Sequence, residues 1–104
     1  MLKFLKNIFD SGQKVDLGEL ITRGALILDV RTQREFQDGH VENSTNIPLD
    51  ELPGKISKLD GSKPVITCCA TGMRSLSAKN ILKNNGFSEV YNGGSWRSLQ
   101  KFVN

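Results

Sequence analysis

The residues best suited to chemistry in this sequence lie together, in Val65-Ile-Thr-Cys-Cys-Ala-Thr-Gly-Met-Arg-Ser75. Two thiols, Cys68 and Cys69, stand where an apolar run of strand length ends. A glycine follows at position 72, and the spacing predicts a helix from Arg74 to Asn85. In parallel α/β sheets, ligand sites lie at the C-terminal ends of the strands. Loop amides wrapped over a helix N-terminus form a nest for an anion. The same field favours a thiolate. A cysteine held there falls from ~8.5 toward ~6–7, and two units amount to ~2.7 kcal/mol in favour of the anion. Such a nucleophile needs no histidine base, which suits a chain with one His, His40.

The elements that must position this loop are legible in outline. Asp16 reads as an N-cap with Glu19 three residues on, opening a helix from Leu17 to about Arg23 that Gly24 stops. Lys14-Val15 reads as a small strand before it. Ala25 to Val30 is a continuous apolar run broken only by Asp29, as expected of a strand buried on both faces. Thr32 to Gln37 should be a short helix and Thr45 to Ile47 a short strand closed by Pro48. Helical turns are expected at Leu49 to Leu52 and Gly54 to Leu59. Val65 to Cys68 is the next buried strand. The helix after the loop ends at Gly86, a glycine C-cap. Glu89 to Tyr91 reads as a strand, Gly93-Gly94 as a turn, and Ser95 to Val103 as a terminal helix capped by Ser95. Strands alternating with helices predict an α/β fold with a mainly parallel central sheet flanked by helices.

Composition narrows the function further. With 104 residues, 38% of them hydrophobic, the chain has the size and apolar content of one domain with one modest core. No apolar run approaches ~18 residues, so no membrane span is expected. Residues 1–63 carry 9 Lys+Arg against 10 Asp+Glu; residues 64–104 carry 5 against 1, so the positive charge collects around the loop and favours small anions there. No run of four basic residues occurs, and nucleic acid is not an expected partner. Adjacent cysteines sit ~3.8 Å apart at Cα, closer than the ~4.4–6.8 Å of ordinary disulfides. Reduced thiols and a cytoplasmic setting are therefore expected. Lys3 and Lys6 interrupt any signal-peptide core. Residues 1–13 read instead as an amphipathic segment ahead of a domain spanning 14–104.

At this point the sequence resembles a known family. Leu28-Asp29-Val30-Arg31, Glu35-Phe36, Gly39-His40-Val41, Asn46-Ile47-Pro48, Cys69-Ala-Thr-Gly-Met-Arg74-Ser75, Gly86-Phe87, and Gly93-Gly94 with Trp96 occur in the order and spacing of single-domain rhodanese-like sulfurtransferases, from about Val15 to Phe102. The resemblance implies a compact α/β domain and a loop cysteine that carries sulfur as a persulfide. It implies Cys69 as nucleophile, with the amides of Ala70, Thr71, Gly72, Met73 and Arg74 cradling the sulfur. Arg74 would hold the loop and meet an anionic donor such as thiosulfate. The acceptor would be cyanide, a thiol or a protein. No cofactor and no metal is implied.

The tandem cysteine leaves a second count open. From Cys69 the loop is Cys-x4-Arg, as in sulfurtransferases; from Cys68 it is Cys-x5-Arg-Ser, as in cysteine phosphatases and arsenate reductases. Gly72 falls three residues after Cys69, and Thr67 stands where phosphatases commonly have His; both favour Cys69. A third reading is a non-enzymatic interaction domain, which the intact loop disfavours. Cys68 reads as a small apolar strand residue or as a second thiol near the persulfide. An Asp29–Arg31 or Arg31–Glu35 bond should tie strand to helix. His40 should be a hydrogen-bonded structural histidine, and Trp96 core or pocket wall. Met73 should project to solvent as an apolar rim.

Overall fold

The computed structural model describes residues 15–103. The amphipathic segment over residues 1–13 and Lys14 lie outside them, and Val15 belongs to no strand. In chain order the elements are α1 (Leu17–Thr22), β1 (Leu26–Asp29), α2 (Gln33–Asp38), β2 (Thr45–Asn46), a 3-10 turn (Leu49–Glu51), α3 (Leu52–Lys55), a second 3-10 turn (Ile56–Lys58), β3 (Val65–Cys69), α4 (Met73–Asn84), β4 (Val90–Ser95), α5 (Trp96–Leu99) and a last 3-10 turn (Gln100–Phe102). The four strands form one parallel sheet in the order β2-β1-β3-β4. The fold is α/β with helices on both faces, as the alternation predicted.

Local signals set the helix starts. The Asp16 carboxylate accepts from the Glu19 amide and opens α1. At α2 the capping box is complete: Thr32 Oγ1 accepts from the Glu35 amide, and the Glu35 carboxylate accepts from the Thr32 amide. Gly86, at φ +95°, follows the last turn of α4 in a conformation that costs other residues more.

Strand periodicity divides the interior into two clusters. Leu28 of β1 and Val30 just after it, with Val65 and Cys69 of β3, face Leu52 of α3 and Ala78 and Leu82 of α4. Ile27, Ile66 and Cys68 face Leu20 of α1 and Trp96 and Leu99 of α5. Leu28, Ile66, Leu82 and Leu99 are fully buried, each contributing ~1.5–3 kcal/mol of transfer free energy.

Two expectations are corrected. Gly93-Gly94 is not a turn. Thr67 pairs with Asn92 and Cys69 with Ser95, so Cys68 alone opposes both glycines in a bulge within β4. The strand therefore runs on to Ser95. A Cβ at Gly93 would stand 2.8 Å from Ile66 Cγ2, 3.0 Å from the Thr67 carbonyl and 3.1 Å from Leu99 Cδ1. Gly94 has φ +77°. The terminal helix is also shorter than expected: α-helix over Trp96–Leu99, then the tighter 3-10 turn. Gly93→Ala is expected to lower the unfolding free energy by ~1–3 kcal/mol through overpacking, read as a reduced urea midpoint. An unchanged midpoint would mean that the bulge opens freely.

Candidate active site

Cys69 is the last residue of β3 and is 1% exposed. Its Sγ accepts the Gly72 amide at 3.0 Å and the Ser75 amide at 3.4 Å, and lies 3.5 Å from Ser75 Oγ. Burial by itself pushes this thiol up. The Ser75 hydroxyl and the amides of Ser75, Gly72 and Thr71 together outweigh burial, and the thiol titrates below its ordinary value. The amide donors are fixed before any charge appears on sulfur, so they hold the anion without reorganising.

The loop lies against the bulge of β4. Gly72, at φ +106°, turns the chain into α4, and a Cβ there would meet the Gly94 Cα at 3.5 Å. Thr67 Oγ1 donates to the Ser75 carbonyl at 2.8 Å, tying the strand under the loop to the first turn of the helix. On β4, Asn92 Oδ1 accepts from Ser75 Oγ at 2.6 Å and from the Gly94 amide at 2.9 Å; Asn92 Nδ2 donates to the Gly72 carbonyl at 3.2 Å.

Arg74 pairs with a carboxylate of another helix. Its guanidinium makes two bonds to the Glu35 carboxylate, at 2.8 and 3.0 Å, joining α4 to α2. Of the two bonds expected at Arg31, the one to Asp29 forms as an ion pair. Arg31 reaches only the Glu35 backbone carbonyl, and its guanidinium embraces Asp29 at 2.7–3.1 Å. Beside Arg74, a cleft of about 350 Å³ is lined by Val30, Thr32, Pro48, Leu49, Asp50 and Arg74. Val30 belongs also to the core cluster that holds Cys69, which puts the cleft next to the loop.

The Arg74 guanidinium holds Glu35 at about 2, below its ordinary 4.5. A depressed carboxylate stabilises the folded state above the unfolded value and loses that contribution as pH falls through the folded one. Both side chains are more than a third exposed, so the pair contributes only ~0.2–1 kcal/mol. Glu35→Gln should therefore lower the melting temperature slightly above pH 4.5, and the gap should close as pH approaches 2. A gap that persists at pH 2 would place its source elsewhere.

The family profile described as rhodanese-like domain matches residues 13–100. The chain belongs to the rhodanese-like family. It is 39% identical over 70 residues to the Bacillus subtilis protein YqhL, an alignment covering 67% of this chain and 56% of that protein. It is 41% identical over 68 residues to the thiosulfate sulfurtransferase GlpE of Stutzerimonas stutzeri, covering 65% and 62%. The matched region thus spans less than two thirds of each of these two relatives. A solved structure titled rhodanese with anions from E. coli superposes with TM-score 0.67 at 32% identity, covering 72% of this chain and 91% of that one.

In this rhodanese-like domain the two cysteines are separated by the sheet. Both are free and buried. Cys68 packs in the opposite cluster, away from the loop. Burial and the nearby Asp29 charge push its thiol up to about 12. It is an apolar strand residue, and the second-thiol reading has no geometry to support it.

The sulfur's amide donors include Gly72 and Thr71 from the expected cradle, whereas Ala70, Met73 and Arg74 are not among its hydrogen-bond partners. The residues that sequence reasoning missed are Ser75 and Asn92. Ser75 directly follows Arg74, and its small hydroxyl at a helix start was the available signal. Met73 is 75% exposed, with Leu76 exposed one turn on. His40 Nδ1 lies 2.7 Å from the Phe36 carbonyl and its ring stacks on Phe36 at 3.7 Å. Trp96 lies in the core, with the guanidinia of Arg31 and Arg97 4.6 and 4.7 Å from its ring centroid. No group of three metal-ligating side chains occurs among the described residues. No described helix is long and apolar enough to cross a membrane.

Proposed function

We propose that this rhodanese-like domain is a sulfurtransferase that moves a sulfane sulfur through a persulfide on Cys69. The observation that carries the reading is a cysteine sulfur at the C-terminal end of a parallel strand, held by the amides of Gly72 and Ser75. The name of the Stutzerimonas relative, a thiosulfate sulfurtransferase, supports thiosulfate as a donor.

In the first step the Cys69 thiolate attacks the outer sulfur of thiosulfate. A bond forms between Sγ and that sulfur, the S–S bond of thiosulfate breaks, and sulfite leaves with the electron pair. In the second step a thiophilic acceptor attacks the outer sulfur of the persulfide. With cyanide, a C–S bond forms, thiocyanate departs and Cys69 returns as thiolate. A thiol or a protein thiolate accepts sulfur by the same displacement. The amides of the loop from Ala70 to Arg74 bind the substrate's charge. Arg74, paired with Glu35, tethers the loop and from the cleft beside it meets an anionic donor. No cofactor enters the scheme. Free thiols fit a reducing, cytoplasmic setting. Residues 1–13 precede the working domain at 14–104 as a separate amphipathic segment.

The phosphatase reading, which needs Cys68 as nucleophile, draws no support from a thiol packed under the opposite face. The decisive experiment is intact mass after thiosulfate, followed by sulfur transfer to cyanide. Gain of one sulfur and its loss to cyanide is the expected result. A protein that gains none is not a sulfurtransferase with this donor.

A further inference from the structure

We propose that Asn92 is a positioning residue that holds the Ser75 hydroxyl proton away from the Cys69 sulfur, so that Ser75 faces the resting thiol as an acceptor. The inference rests on Cys69 being the reacting thiol, as proposed above.

The orientation of the Asn92 amide follows from its partners. The Gly94 amide can only donate, so the atom 2.9 Å from it is the oxygen. The Gly72 carbonyl can only accept, so the atom 3.2 Å from it is the NH2. The carbonyl oxygen so placed lies 2.6 Å from Ser75 Oγ. Serine has one hydroxyl proton, and at 2.6 Å Asn92 has first claim on it. Only lone pairs of Ser75 Oγ then remain for Cys69 Sγ, 3.5 Å away, which donates its S–H to them. When the thiol loses its proton, the hydroxyl must leave Asn92 to serve the thiolate. Asn92 therefore favours the thiol, and its oxygen keeps the Gly94 amide in either state.

The other donors to the sulfur keep anchors of their own without Asn92. The Ser75 amide belongs to α4. Gly72 is held by the Leu76 amide on its carbonyl at 3.1 Å. Among the described residues, the charged groups around the loop are Arg74 of α4 with Glu35 of α2, Asp50 on the cleft, and the pair of Asp29, at the end of β1, with Arg31. None of these bonds to Sγ. On β4, Tyr91 packs with the opposite cluster, and on β3 Cys68 does the same.

The test is the pH dependence of iodoacetamide alkylation, mapped to Cys69 by peptide mass. Asn92→Ala releases the Ser75 hydroxyl to the sulfur, so the midpoint should fall by ~0.5–1 pH unit, or threefold to tenfold more thiolate below it. Ser75→Ala should raise the midpoint. In the Ser75→Ala background, Asn92→Ala should have no further effect. Asn92→Leu, near in size, serves as the second variant if alanine does not fold. A midpoint that stays in place or rises on removing Asn92, or a shift that survives without the Ser75 hydroxyl, overturns the inference. Alkylation needs no sulfur donor. A Cys69 that shows these shifts yet gains no sulfur from thiosulfate would sink the proposed function and leave the inference standing.

Discussion

Cys69→Ser is expected to remove sulfur uptake from thiosulfate and to lower transfer to cyanide by ~10³-fold or more, to the uncatalysed background. A serine hydroxyl in the same place stays protonated at neutral pH, and the amides of Gly72 and Ser75 then have no anion to hold. Cys68→Ser, by contrast, keeps transfer within about twofold. Its cost falls on stability, ~1–3 kcal/mol for placing a hydroxyl in a fully buried apolar cluster. Intact mass after thiosulfate and initial rates with cyanide separate the two variants. Loss of uptake in Cys68→Ser with retention in Cys69→Ser would overturn the assignment and return Cys68 to consideration as the nucleophile.

Arg31→Ala is expected to be the most damaging single change to the fold, at ~3–5 kcal/mol from a total that in domains of this kind is only ~5–15 kcal/mol. Asp29 is fully buried and Arg31 is 4% exposed. Three side-chain bonds join them, and the guanidinium also donates to the carbonyls of Glu35 and Gly39. It stacks over Trp96 at 4.6 Å as well. Removing it leaves a carboxylate in the interior without its counter-charge and takes one donor from each of two carbonyls. Urea unfolding of Arg31→Ala and of Asp29→Asn/Arg31→Ala checks the account. The double variant should recover part of the loss, because the stranded charge is gone. If the double variant is no more stable than the single one, lost packing on Trp96 rather than an unpaired charge is the cause.

Much of this architecture could be read from sequence because its causes are local. The apolar runs of β1 and β3 and the caps at Asp16 and Thr32 act within a few residues of themselves. So does the loop running from Cys69 through Gly72 to Arg74. What escaped depends on register between distant segments. Arg74 meets Glu35 from 39 positions away, and nothing in either neighbourhood announces the partner. A glycine pair after a short strand is an ordinary turn signal. Only the pairing of Thr67 with Asn92 and of Cys69 with Ser95 turns it into a bulge. Asn92 escaped for the same reason, since its contacts exist only once β4 lies beside the loop. Cys68 and Cys69 were separable in principle by the twofold alternation of a strand. That argument needs β3 to extend through Cys69, one residue beyond the predicted end.

The bulge in β4 also bears on how this protein behaves in a crowded solution. In the order β2-β1-β3-β4, the two outer strands are the places where another molecule's backbone could add itself. β2 offers two residues, too few to template a partner. β4 is long enough, but Gly93 and Gly94 bend it midway and increase its twist. A straight incoming strand cannot follow that contour. Among the described residues, the feature that the sulfur-holding loop rests on thereby also protects the sheet against edge-to-edge aggregation.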